Sequence, residues 1–94
     1  MQKYSKTIAM IENDLLSKDT VAQAYAIRAC CISGYSSPKI ISALKLLTKS
    51  NEKSMWQNIS DMAIAALHLI GAEKYSGNNS AIKELIKTKD FSII

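Results

Sequence analysis

The chain has 94 residues, is 48% hydrophobic and 21% charged, and carries a net charge of +4. That length indicates one domain with a thin core, residues 1–94 as a single unit, and the hydrophobic content excludes a disordered chain. Three Gly and one Pro exclude collagen and most turn-rich β scaffolds.

Tyr4, Ile8, Ile11 and Leu15 recur at helical spacing and predict an amphipathic first helix over Tyr4 to Leu16. Asp19 or Thr20 caps the next one, which runs from about Thr20 to Ser33 and stops at Gly34. This second helix is apolar almost all round, so it calls for neighbours on most sides. Ser37 and Pro38 form a helix start: a hydroxyl can cap, and proline's missing N–H is not needed in the first turn. The third helix covers Pro38 to about Lys49. A fourth follows, capped by Asn51 or by Ser54 in a box with Gln57, and reaches Ile70 before Gly71. A short fifth helix, Ala81 to about Thr88, starts from a cap at Asn79 or Ser80. No segment alternates with period two, so no strand is expected.

The chain also rhymes with itself. Ala26-Ile27-Arg28-Ala29-Cys30-Cys31-Ile32-Ser33-Gly34 matches Ala63-Ile64-Ala65-Ala66-Leu67-His68-Leu69-Ile70-Gly71, 37 positions on. The unit is an outer amphipathic helix, a polar break and an inner apolar helix ending in Gly, over approximately residues 4–34 and 37–71, with a partial unit at 80–94. A two-helix unit of this length marks an α-solenoid. The run Ala63-Ile64-Ala65-Ala66 followed by Ile70-Gly71 resembles HEAT and armadillo-type repeats. The expected fold is therefore all-α: about five helices in antiparallel hairpins, forming a short right-handed solenoid-like stack. A closed helical bundle is the alternative. The resemblance implies a non-enzymatic scaffold that binds partners on an extended face lined by the inner helices.

The chemistry-bearing residues are few. Cys30 and Cys31 are neighbours inside an apolar helix and read as small buried hydrophobes rather than a disulfide framework. His68 is the single histidine and reads as a core-edge residue. No dinucleotide, P-loop, nucleophile-elbow or zincin motif is present. The reading is of a protein that is not an enzyme and uses no cofactor or metal. No stretch is long and apolar enough for a bilayer, and no signal-peptide pattern follows the N-terminus, so a soluble, cytoplasmic protein is expected.

Two functional readings remain. The first is a protein–protein interaction module. In size and architecture the chain is similar to small helical immunity proteins of bacteria, which bind and block a cognate toxin domain. Arg28, Trp56, Asp61 and His68 are the candidate contacts for such a partner. The second reading is nucleic-acid binding along two lysine ridges, Lys45, Lys49 and Lys53, and Lys83 and Lys87. Arg28 is the sole arginine, which disfavours it. An adaptor or regulatory subunit is a further possibility. The tail residues Phe91, Ile93 and Ile94 either fold back over the end of the stack or join a second copy as a homodimer.

Overall fold

The computed structural model of the chain describes residues 7–54, 57–89 and 91. Tyr4, Trp56, Ile93 and Ile94, named above, lie outside the described residues. Five helices account for most of the fold: α1 (Ile8–Leu15), α2 (Thr20–Ser33), α3 (Pro38–Leu47), α4 (Ile59–Leu69) and α5 (Ser80–Thr88).

The helix ends follow local chemistry. Thr7 caps α1 by accepting from the Met10 N–H at 3.2 Å. Asp19 caps α2, accepting from the N–H groups of Val21 and Ala22 at 2.9 and 3.4 Å. Asn79 caps α5 with bonds from Ala81 and Ile82. Each satisfies donors that the first helical turn leaves without intrahelical partners. Gly34 and Gly71 end α2 and α4 at φ of 73° and 81°, a left-handed backbone that a Cβ disfavours. Past Gly71, the Ala72 N–H reaches back to the Leu67 carbonyl at 2.9 Å and closes the end of α4.

Helix α1 packs on α2 and α3, and α4 packs on the same two. This is the pairing of two antiparallel hairpins laid side by side, with α1 and α3 in one layer and α2 and α4 in the other. Helix α5 adds to α4. Between the layers sit Ile11, Leu15, Ile27, Ile40, Leu44, Ile59, Met62 and Leu67, all fully buried. The contact of α2 with α4 is rich in alanine: Ala24, Ala26, Ala29, Ala63, Ala65 and Ala66 are buried, and small side chains let two helices approach closely. Ser37 joins the two hairpins. Its Oγ accepts from the Ile40 N–H at 3.2 Å, capping α3, and its hydroxyl donates to Glu12 Oε2 on α1 at 2.7 Å.

The expectation of no strand is corrected at one place. Strands β1 (Lys53–Ser54) and β2 (Gln57–Asn58) pair antiparallel, with Lys53 opposite Asn58 and Ser54 opposite Gln57. The Ile59 N–H extends the pairing to the Glu52 carbonyl at 3.0 Å. Because the backbone of this polar stretch is satisfied across the pair, the fourth helix starts at Ile59, later than a cap at Asn51 or Ser54 requires. Ser54 is no cap: it is buried in β1, which packs against α2, and its Oγ has no hydrogen-bond partner. Asn58 occupies the N-cap position of α4 without a side-chain cap bond.

Candidate functional site

The largest groove lies where β2 and the start of α4 meet α5, with a volume of about 350 Å³. Its walls are the amides Gln57 and Asn58, the carboxylates Asp61 and Glu84, and an apolar floor that includes Ala81 and Leu85. Asp61 sits in the first turn of α4, where the helix dipole favours a negative charge. Asn58 donates its amide to Asp61 Oδ2 at 3.2 Å, which fixes the carboxylate at the groove wall. Glu84 is exposed on α5 and faces the same space. Two carboxylates and two side-chain amides on a partly apolar floor form a surface that accepts N–H donors, with the geometry to hold a lysine or arginine side chain.

The remaining sequence candidates are placed apart from this groove. His68 is seven residues beyond Asp61, about 10 Å along the helix axis at 1.5 Å per residue. Its Nδ1 accepts from the Tyr75 N–H at 3.0 Å. Tyr75 in turn accepts, through its hydroxyl, from the Asn79 N–H at 2.9 Å, and Asn79 caps α5. His68 therefore anchors the 72–79 loop and, through it, the start of α5. Arg28 is on the open side of α2 and lines a different pocket. Asp61, Arg28 and His68 do not converge on one site.

The lysine ridges are partly dismantled. Helix α3 ends at Leu47, and Lys53 stands in β1, so Lys45, Lys49 and Lys53 do not follow one helix face. Lys83 and Lys87 do lie one turn apart on α5, both exposed.

Cys30 and Cys31 are free. Burial pushes both thiols up to about 12 from the usual 9.0, and the neighbouring thiol adds to the rise at Cys31. A thiol held protonated at neutral pH is a poor nucleophile and a poor metal ligand. Among the described residues no group of three or more His, Cys, Asp or Glu side chains is placed to hold a metal ion. Among them, too, no helix is long and apolar enough to cross a membrane.

Sequence reasoning named Asp61 but missed Asn58, Gln57 and Glu84. Glu84 was within reach: Ala81, Glu84 and Thr88 follow one edge of α5 at helical spacing, beside the buried Leu85. Gln57 and Asn58 depend on a hairpin that no periodicity announces. No protein family, no curated protein and no solved structure matches the chain.

Proposed function

We propose that this chain is a non-enzymatic protein-binding module, and that it acts as a cognate immunity protein that binds and blocks a bacterial toxin domain. The observation that carries the reading is the groove between α4 and α5, with Asp61 and Glu84 on its walls. It is a local concentration of acceptors on a chain of net charge +4, suited to a basic loop or an inserted lysine or arginine of a partner. Blocking by occupancy requires shape and charge but no reactive group, which suits a chain whose two thiols are held protonated and whose single histidine is engaged with a loop.

The test compares the wild type with Asp61→Lys/Glu84→Lys in capture from native lysate. A partner retained by the wild type and lost by the double variant is expected. Expressed alone, that partner should arrest growth, and co-expression of the wild type should restore it. A captured partner indifferent to the double variant, or one without toxicity, overturns the reading. So does binding to a random oligonucleotide at about 50 mM salt that weakens steeply as salt rises, because that is the behaviour of lysines on phosphates.

A further inference from the structure

We propose that the pocket between the C-terminal ends of α2 and α4 and the segment after α5 binds a small organic anion with a short apolar body, of the class of a medium-chain carboxylate. The pocket has a volume of about 270 Å³. Its described lining is Arg28, Cys31 and Ile32 from α2, Leu69 from α4, and Lys89 and Phe91 from the chain after α5. Two cations and four apolar side chains, with no acid among these described residues, match an anionic head joined to a hydrocarbon tail.

The backbone supports the assignment independently of composition. Lys89 is the single residue other than glycine at positive φ among the described residues, at 58°. That left-handed conformation is costly for a side chain with a Cβ and is the usual place of glycine at a helix end. Here it ends α5, with the Lys89 N–H bonded to the Leu85 carbonyl at 2.8 Å. It also turns the chain so that Phe91, 3% exposed, is buried against the core beside α2 and α4. A glycine would make the same turn without strain but would remove the ammonium from the pocket rim. Strain held at one residue that lines a pocket is a sign of a functional constraint.

Size narrows the ligand. At the roughly 30 Å³ that a water molecule occupies in the liquid, the pocket takes about nine heavy atoms, close to octanoate. Its carboxylate would meet Lys89 and Arg28, and its chain would lie against Ile32, Leu69 and Phe91. Cys31 stays protonated and serves as apolar wall. This site is separate from the Asp61 and Glu84 groove and stands whether or not that groove binds a toxin.

The test is a two-dimensional amide NMR titration of the full chain with sodium octanoate at constant ionic strength, below its micelle concentration. Saturable shifts centred on Arg28 to Ile32, Leu69 and Lys89 are expected, with a dissociation constant of about 1 mM or tighter. Octylammonium should bind about tenfold more weakly. Lys89→Gly, which relieves the backbone strain and so keeps the fold, should weaken octanoate about fivefold. Ile32→Gln, at an exposed position outside the core, should weaken it as well. Absence of saturation up to about 10 mM overturns the proposal, as does an equal response to octylammonium or unchanged affinity in Lys89→Gly. Binding to anionic phospholipid vesicles without binding to free octanoate also overturns it.

Discussion

Helices α2 and α4 have rhyming sequences and end alike in a left-handed glycine, yet they bury different sides. Ile27 is fully buried, while its counterpart Ile64 is only half-buried. Arg28 stands half-open where its counterpart Ala65 is buried. The neighbours account for the difference. Helix α5 covers one side of α4, and the loop after Gly71 returns to it through His68 and Tyr75. Helix α2 is enclosed by α1, α4 and β1, and keeps a strip open along Val21, Tyr25, Arg28 and Ile32. A shared motif therefore specifies a helix and its stop, while the elements packed around it decide which side faces the core.

The largest consequence concerns Cys30 and Cys31, whose places in α4 are taken by Leu67 and His68. A rise from 9.0 to about 12 lowers the thiolate population about a thousandfold at pH 8. Native protein should react with a thiol reagent at pH 8 about a thousand times more slowly than the urea-unfolded chain. Rapid native labelling of both residues would show that α2 does not enclose them. The linkage has a definite sign. The folded chain keeps two protons that the unfolded chain releases, so this contribution to stability is intact below pH 9 and falls as pH rises from about 9 towards 12. Cys30→Ala/Cys31→Ala should flatten the decline in the urea midpoint over that window.

Next in size is the isoleucine pair. Ile27→Ala should cost about 3 kcal/mol, a large share of the roughly 5–10 kcal/mol expected for a domain of this size. Ile64→Ala should cost about 1 kcal/mol, because part of that side chain already faces solvent. Urea midpoints measure both. Equal losses would mean that the two helices bury the same side and that the comparison fails.

Much of this architecture was legible. Thr20 to Ser33 was bounded correctly because both its ends are local: Asp19 needs only the next three residues, and Gly34 only the last turn. The start of α3 at Ser37 and Pro38 was local in the same way. The partner of the Ser37 hydroxyl, Glu12, lies 25 residues away, and no spacing rule connects them. The residues 53–58 failed for another reason. Two-residue strands are too short to show alternation, and their pairing is a property of backbone groups, which the side-chain pattern does not encode. The candidate groove inherits that gap, because Gln57 and Asn58 belong to β2. Asp61 was visible as the polar member of an apolar helix, whereas its neighbour across the groove, Glu84, required knowing that α5 packs on α4.

The smallest predicted contrast lies at the helix starts. Asp19 accepts from two backbone N–H groups at the head of α2, so Asp19→Ala should cost about 1–2 kcal/mol. Asn58 holds the same position on α4 and makes no cap bond, because its amide is turned to Asp61 and the Ile59 N–H is taken by the Glu52 carbonyl. Asn58→Ala should therefore cost under about 0.5 kcal/mol. It should act instead on the groove, by freeing the Asp61 carboxylate and weakening whatever basic group docks there. A cost at Asn58 equal to that at Asp19, measured by urea denaturation, would mean that α4 relies on a side-chain cap after all. The hairpin would then be an ornament on the helix rather than the device that starts it.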